Sequence, residues 1–123
     1  MADCLLIDDS RLARRICRSL LESAGYDVTE AVDGADGLAQ AALRRFDIIL
    51  VDQFMPVMEG LDFIRHYRAR ADGAVARLIL CSSDGAPALQ QKARELGADG
   101  YLNKPYTAGA LARQLCDLRS ATN

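Results

Sequence analysis

One stretch constrains the fold of this chain more than any other. In Ile48–Asp52, four apolar residues are followed by a carboxylate. The run is too short for a free-standing helix and rich in β-branched residues, so it predicts a strand buried on both faces. Such strands belong to parallel sheets, whose ligands lie just beyond the carboxyl ends of the strands. Asp52 lies at that end, and Pro56 indicates a loop after it, because proline cannot continue a central strand.

The rest of the chain repeats this pattern. Four more strands are predicted, at Cys4–Ile7, Tyr26–Ala31, Leu78–Cys81 and Gly100–Asn103. Apolar residues at helical spacing predict five helices, which begin near Ser10, Ala35, Gly60, Pro87 and Thr107. Strands that alternate with helices across short loops indicate an α/β domain with a parallel sheet covered on both faces.

The same spacing predicts which side of each helix is buried. For the first helix, the predicted inner residues are Leu12, Ala13, Ile16, Cys17, Leu20, Leu21 and Ala24. The opposite face carries an arginine stripe, defined here as Arg11, Arg14, Arg15 and Arg18. For the second helix, we expect Leu38, Ala42 and Leu43 to face inward.

Length and charge exclude several classes of protein. A chain of 123 residues fits one domain, so we expect a single domain over residues 1–123 with a tail that frays from about residue 120. The net charge of −2 does not favour nucleic acid or an anionic membrane as a partner. No apolar run approaches 18 residues and no basic segment precedes an apolar one, which argues against a spanning helix or a secretory signal.

The four cysteines are widely separated and form no C-x-x-C pair. They are Cys4, Cys17, Cys81 and Cys116. We expect buried free thiols in a reducing, cytoplasmic environment rather than a disulfide or a zinc site.

Polar side chains follow four of the five predicted strands. They are Asp8 and Asp9, Asp52, Ser82 with Ser83, and Lys104. Because parallel strands point the same way, these side chains should gather at one edge of the sheet. Close carboxylates repel by about 4 kcal/mol per pair at an effective dielectric near 20, and a hard divalent cation relieves this repulsion. Mg²⁺, which takes one or two carboxylates together with water and phosphate oxygens, suits this set.

These residues also suit phosphoryl transfer with Asp52 as the nucleophile. A carboxylate with an ordinary pKa near 4 is ionised at neutral pH and needs no general base. The lone histidine, His66, is therefore expected to be a solvated or half-packed side chain. Phosphoryl transfer mainly requires positioning and charge neutralisation. A metal and the Lys104 ammonium would neutralise charge, and the Ser82 hydroxyl could bond a phosphoryl oxygen.

Over nearly its whole length the chain resembles a response-regulator receiver domain. The resemblance is carried by Asp8-Asp9 after the first strand, Asp52 in Val-Asp-Gln-Phe-Met-Pro, Ser82 after the fourth strand, and Lys104-Pro105 after Gly100-Tyr101. Ser82 lies 30 residues and Lys104 lies 52 residues after Asp52, as in that family. All of these motifs in order are far more specific than any one of them.

The resemblance implies a fold and a set of roles. The fold would be flavodoxin-like and doubly wound, with strand order 2-1-3-4-5. Asp52 would accept phosphate from a histidine kinase or a histidine phosphotransfer protein. Mg²⁺ would be held by Asp9, Asp52 and the backbone carbonyl of Phe54, with Asp8 assisting. Lys104 would pair with the phosphoryl group, and its bond to Pro105 would be cis.

Signal output is implied by the same resemblance. Ser82 would move toward the phosphoryl group while Tyr101 turns inward, and this would change the face formed by helix 4, strand 5 and helix 5 for a downstream protein. Two departures from the family pattern are Ser83, usually small and apolar there, and Phe54, where polar or small side chains are frequent. Phe54 puts the rate of dephosphorylation in question. Asp84 is expected to point away from the phosphoryl group.

Other functions stay open at this point. An aspartyl-phosphate phosphatase also uses an Asp nucleophile, but usually places a second Asp two residues later, where this chain has Phe54. A degenerate receiver that only docks is a second alternative, although all five motif residues are present. The arginine stripe is either a solvated face or a surface that steers an acidic phosphodonor toward the site. The chain could be a stand-alone phosphoacceptor or a fragment of a larger regulator.

Overall fold

A computed structural model describes residues 2–70 and 75–120. Its strands are β1 (Ala2–Ile7), β2 (Tyr26–Ala31), β3 (Ile48–Asp52), β4 (Arg77–Ser82) and β5 (Gly100–Asn103). Its helices are α1 (Arg11–Ser23), α2 (Gly34–Leu43), α3 (Gly60–Arg68), α4 (Pro87–Leu96) and α5 (Ala108–Ser120). Of the tail expected to fray from about residue 120, Ser120 is the last residue of α5, and residues 121–123 lie outside the described residues.

The five strands form one parallel sheet of order β2-β1-β3-β4-β5, which confirms the predicted doubly wound fold. Alternate residues of each strand enter two separate cores. Leu5, Ile49 and Leu78 pack with side chains of α2, α3 and α4. Cys4 and Leu50, of the opposite parity, pack with α1 and α5. Burial of the central strands on both faces explains why they are continuous apolar runs.

Local capping signals place the helices. The Ser10 hydroxyl accepts a hydrogen bond from the Ala13 N–H at 3.2 Å and starts α1, as predicted. Asp33 caps α2 by accepting a hydrogen bond from the Asp36 N–H at 2.8 Å. Thr107 accepts from the Ala110 N–H at 3.0 Å at the start of α5. These caps satisfy amide groups that a helix leaves without partners.

The predicted inner face of α1 is wrong in part. Leu12 is 66% and Ile16 is 56% exposed, whereas Cys17 and Leu21 are buried. Arg14, expected on the outer face, has a side chain only 13% exposed. The physical reason is that α1 contacts β2 more than β1, and Glu30 on β2 offers Arg14 an acceptor at 2.9 Å, so a polar side chain occupies part of the inner face.

The inner face predicted for α2 also needs correction. Ala42 is exposed and Leu43 is 80% exposed, while Gly37 and Ala41 are buried. A Cβ atom at Gly37 would lie 2.5 Å from Cδ1 of Ile7. The helix approaches β1 through its glycine, so a search for large apolar residues identified the wrong side.

The cysteines follow the prediction at three of four positions. Cys4, Cys17 and Cys81 are buried free thiols, and burial raises the pKa of Cys4 and Cys81, which keeps them protonated. Cys116 is exposed, contrary to expectation, because α5 buries its leucines on the other side. Among the described residues, none of the helices is both long and apolar enough to cross a membrane.

Candidate functional site

Three carboxylates converge at the carboxyl edge of the sheet. Asp8 and Asp9 follow β1, Asp52 ends β3, and one oxygen from each lies within 4.8 Å of the others. Asp8 and Asp52 are buried, at 5% and 8% exposure, whereas Asp9 is exposed. These three residues are called the acidic cluster below. Their convergence follows from parallel strands that each end in a carboxylate.

Lys104 supplies the positive charge at this edge. Its Nζ donates to Oδ2 of Asp8 at 2.7 Å and lies 3.1 Å from Oδ1 of Asp52. Burial raises the pKa of Asp52, and the Lys104 ammonium opposes that rise. Burial alone would lower the pKa of Lys104, but its hydrogen bond to Asp8 and the two carboxylate charges raise it overall. The Lys104–Pro105 peptide bond is cis, as the family resemblance implied.

Ser82 ends β4 inside the protein, and its side chain makes a hydrogen bond to the loop that follows this strand. It is fully buried, and its Oγ accepts a hydrogen bond from the Asp84 N–H at 2.9 Å. The Asp84 carboxylate accepts from the Ala86 N–H at 2.9 Å, so one of its oxygens is used within the loop. The Tyr101 hydroxyl donates to the Asp84 carbonyl. Ser82 and Tyr101 therefore hold the same short loop from two sides.

The β3–α3 loop is anchored by Gln53, whose role sequence reasoning missed. Gln53 is 5% exposed, and its Oε1 accepts from the Leu61 N–H at 2.9 Å while its Nε2 donates to Glu59 at 3.1 Å. The signal available in the sequence was a glutamine between Asp52 and Phe54, directly after a strand predicted to be buried. A polar side chain that is buried there needs hydrogen-bond partners. Met55 is buried and Phe54 is half exposed, so the ring of Phe54 lies outside the core at the edge of the loop.

The arginine stripe divides into two pairs. Arg14 and Arg18 pair with Glu30 at 2.9 and 2.7 Å, and Arg14 also donates to the Asp8 carbonyl oxygen at 2.7 Å. Arg11 and Arg15 are exposed. The intramolecular role of Arg14 was not foreseen, because it depends on a partner on a neighbouring strand.

A groove lies beside Lys104, between α1 and the segment after β5. Its volume is about 330 Å³, and it is lined by Ala13, Ile16, Cys17, Leu20, Ser83, Lys104, Pro105 and Tyr106. The exposed side chain of Ile16 lines this groove, so one of the two apolar residues that α1 leaves in solvent lies beside the site.

The donor set of the acidic cluster fits a hard divalent cation. Its oxygens come from three carboxylates, with no thiol or imidazole among them, which suits Mg²⁺ better than zinc. Lys104 bonds the two buried carboxylates and leaves the exposed one, Asp9, facing solvent. That opening allows water ligands, which Mg²⁺ usually keeps. A ligand role for the Phe54 carbonyl stays a prediction.

Comparison with known proteins gives one consistent family. The model of the response regulator receiver domain matches residues 4–115. The chain is 34% identical over 115 residues to the KDP operon transcriptional regulatory protein KdpE of Escherichia coli, covering 94% of this chain and 50% of that protein. It is 31% identical over 112 residues to chemotaxis protein CheY-3 of Vibrio cholerae, covering 90% of this chain and 86% of that protein.

Solved structures agree with this grouping. Chemotaxis response regulator CheY4 of Vibrio cholerae superposes with a TM-score of 0.89 at 34% identity, covering 95% of this chain and 98% of that one. The chain spans half the length of KdpE and most of the two chemotaxis proteins. Since both the family model and these relatives extend over nearly all of it, the chain belongs to the response regulator receiver domain family, the phosphoacceptors of two-component signalling.

Proposed function

We propose that Asp52 is the residue that accepts the phosphoryl group. The observation that carries the proposal is the position of Asp52: a buried carboxylate at the end of the central strand, 3.1 Å from the Lys104 ammonium and within 4.8 Å of Asp8 and Asp9. The phosphodonor is a histidine kinase or a histidine phosphotransfer protein, the donor class of this family. The domain comprises residues 1–123.

In the reaction, an Asp52 oxygen attacks the phosphorus of the donor's phosphohistidine. The new O–P bond forms as the P–N bond breaks, and the electron pair returns to the donor imidazole. Lys104, which contacts both Asp52 and Asp8, would pair with the transferred group while it remains bonded to Asp8. The Ser82 hydroxyl, now bonded by the Asp84 N–H, is the group that would turn to a phosphoryl oxygen. Burial raises the pKa of Asp52 and Lys104 opposes that rise, so the ionised nucleophile would depend on the ammonium beside it rather than on a general base.

Asp9, Asp52 and the Phe54 carbonyl would hold Mg²⁺, with Asp8 assisting. When bound, the ion would offset the negative charge of the phosphoryl group and of the acidic cluster. Asp9 is the exposed member of the cluster, and Asp8 is already bonded to Lys104. This difference supports the division of roles between the two residues.

Output would pass through Ser82 and Tyr101 to the face formed by α4, β5 and α5. Both side chains hold the loop after β4, so a change in the bonding of Ser82 can alter the Tyr101 contact. Ser82→Ala should still be phosphorylated while its NMR spectrum shows little change at α4 and Tyr101. A wild-type pattern of shifts in that variant would make Ser83 or another group the switch.

The phosphodonor would dock across the start of α1. The exposed residues there are apolar and basic together, namely Arg11, Leu12, Arg15 and Ile16. The double variant Arg11→Glu/Arg15→Glu should slow phosphoryl transfer from the cognate donor. Charges at the rim of a protein–protein interface act mainly on the rate at which the two proteins associate. Labelling by a small phosphodonor should be unaffected. Equal slowing of both reactions would indicate damage to the helix.

The decisive experiment is phosphorylation by a small donor in Mg²⁺. Intact-mass analysis should show one added phosphoryl group that is stable in acid and lost in alkali. Asp52→Ala should show none, whereas Asp62→Ala, which removes an exposed α3 carboxylate paired with Arg65, should be labelled normally. No labelling of the wild type, or equal labelling of Asp52→Ala, would overturn the proposal.

The two alternatives make different predictions in the same assay. A docking module would bind its partner without becoming labelled. A phosphatase would release phosphate repeatedly from added phosphomonoesters, whereas a receiver turns over only its own phosphoryl group. The family and its relatives favour the receiver over both.

A further inference from the structure

The loop between β1 and α1 carries two members of the acidic cluster, and its first residue is held at every polar atom. The Asp8 N–H donates to the Ala31 carbonyl at 3.1 Å, and its Oδ1 accepts from the Ser10 N–H at 2.9 Å. Its Oδ2 accepts from Lys104 at 2.7 Å. The remaining atom, the backbone carbonyl oxygen, accepts a hydrogen bond from Nη1 of Arg14 at 2.7 Å. That last contact comes from a helix beside the site.

Arg14 is itself fixed by Glu30 on β2. Its Nε donates to Oε1 of Glu30 at 2.9 Å, and Oε2 of Glu30 accepts from Arg18 at 2.7 Å. Glu30 pairs with Leu6 in the sheet and directly precedes Ala31, whose carbonyl binds Asp8. The Arg14 side chain is 13% exposed against 41% for Arg18. The sheet therefore places Glu30, and Glu30 orients the planar guanidinium toward the loop.

The carbonyl that Arg14 binds belongs to the peptide between Asp8 and Asp9. Rotation of this peptide would change the direction of both carboxylates. Mutual repulsion within the acidic cluster favours such rotation, because spreading the charges lowers their energy. We propose that Arg14, oriented by Glu30, is a positioning residue that locks this peptide so that Asp8 and Asp9 converge with Asp52 on a divalent cation. The inference rests on the proposed function of the site.

A simple charge effect of Arg14 would have the opposite sign. Arg14 is a cation close to the acidic cluster, so its removal would strengthen Mg²⁺ binding if only Coulomb energy mattered. Loss of positioning weakens binding, and partners behind metal ligands typically contribute 10- to 100-fold to metal affinity. The direction of the change separates the two effects.

The test compares Mg²⁺ dissociation constants of wild type, Arg14→Met and Arg18→Met by calorimetric titration without any phosphodonor. Arg14→Met should bind Mg²⁺ about tenfold more weakly, with altered NMR shifts of the Asp8 and Asp9 amides. Arg18→Met is the matched control: it loses a cation and a bond to Glu30 but none to Asp8, and should stay within about twofold. Unchanged or tighter binding by folded Arg14→Met would overturn the proposal.

Arg14→Lys provides a second test, because this variant keeps the positive charge. It also replaces Arg14→Met as the test variant if Arg14→Met does not fold. An ammonium lacks the planar fork that bonds Glu30 and the Asp8 carbonyl together. Mg²⁺ binding should weaken severalfold, and wild-type affinity in Arg14→Lys would also overturn the proposal. Because the titration needs no phosphoryl transfer, a wild type that binds Mg²⁺ normally but is never phosphorylated would count against the role of Asp52, not against that of Arg14.

Discussion

Lys104 makes its shorter contact with Asp8, at 2.7 Å, and its longer one with Asp52, at 3.1 Å. The lysine thus compensates the charges of both buried carboxylates. Among the residues the structure describes, no cation lies within ion-pair distance of Asp9, the exposed member of the acidic cluster. Asp9 therefore adds repulsion to the cluster without an ion pair to offset it.

We expect Asp9→Asn to raise the melting temperature by a few degrees in metal-free buffer, because it removes this repulsion. The same variant should lose the stabilisation that Mg²⁺ gives the wild type by binding the folded state. Thermal melts with and without Mg²⁺ test both effects. Asp27→Asn, at an exposed carboxylate in β2, is the control and should keep the Mg²⁺ response. A lower melting temperature for metal-free Asp9→Asn would contradict a tightly packed cluster.

The loop after β3 holds a strained residue. Val57 has a φ of 73°, and the Met58 N–H donates to the Pro56 carbonyl at 2.8 Å, which makes Val57 the centre of a γ-turn. A β-branched residue is unfavourable at positive φ, whereas asparagine tolerates it. Val57 is 82% exposed, so its replacement loses little buried area.

Val57→Asn should therefore stabilise the protein by about 1 kcal/mol, measured by urea unfolding. Val75→Asn is the matched control, because Val75 is 59% exposed and does not have positive φ. It should change stability by less than about 0.5 kcal/mol. Equal effects of the two substitutions would show that backbone strain at Val57 is not the cause.

The sheet and the acidic cluster could be predicted because both depend on local signals. Apolar β-branched runs that end in carboxylates fix the strands, and parallel strands bring their ends together. The buried faces of α1 and α2 could not be predicted in full. Arg14 lies on the inner side of α1 because it meets Glu30, 16 residues away along the chain, and α2 packs closely because Gly37 meets Ile7. Such contacts follow from register and helix tilt, which hydrophobic spacing does not encode.

Glu30 should make stability depend on pH. The hydrogen bond from Arg18, together with that from Arg14, lowers the pKa of Glu30 below its ordinary value of 4.5. Because the folded-state pKa is the lower one, Glu30 stabilises the fold fully above that ordinary value. This stabilisation is lost as the pH falls through the folded-state pKa.

Urea unfolding of wild type and Glu30→Gln at several pH values measures this effect. The gap between the two free energies of unfolding should be constant near neutral pH and shrink below about pH 4.5. Comparison with Glu30→Gln removes the contributions of the other carboxylates. A gap that stays constant down to pH 3 would mean that the Arg14 and Arg18 contacts do not stabilise the charged form of Glu30.

Phe54 is held at the edge of the proposed phosphorylation site by its neighbours. Gln53 and Met55, on either side, are buried, while the Phe54 side chain is 50% exposed and cannot enter the core without moving them. An aspartyl phosphate decays when water attacks in line, opposite the Asp52 oxygen. The Phe54 ring offers no group to orient that water and can cover the phosphoryl group with apolar surface. Asp84, two residues after Ser82, already accepts a hydrogen bond from the Ala86 N–H through one carboxylate oxygen.

We therefore expect a long-lived phosphoryl group and faster decay in Phe54→Asn, which opens the path and supplies a polar group. Lowering the barrier by 1.4 kcal/mol would accelerate decay about tenfold. The measurement follows loss of phosphate from the labelled protein in Mg²⁺ after the donor is removed. Phe54→Leu keeps apolar cover without the ring and should decay nearly as slowly as wild type. If Phe54→Asn decays no faster than wild type, apolar shielding by Phe54 does not set the lifetime, because the substitution removes the shield and leaves Asp52, Lys104 and Ser82 in place.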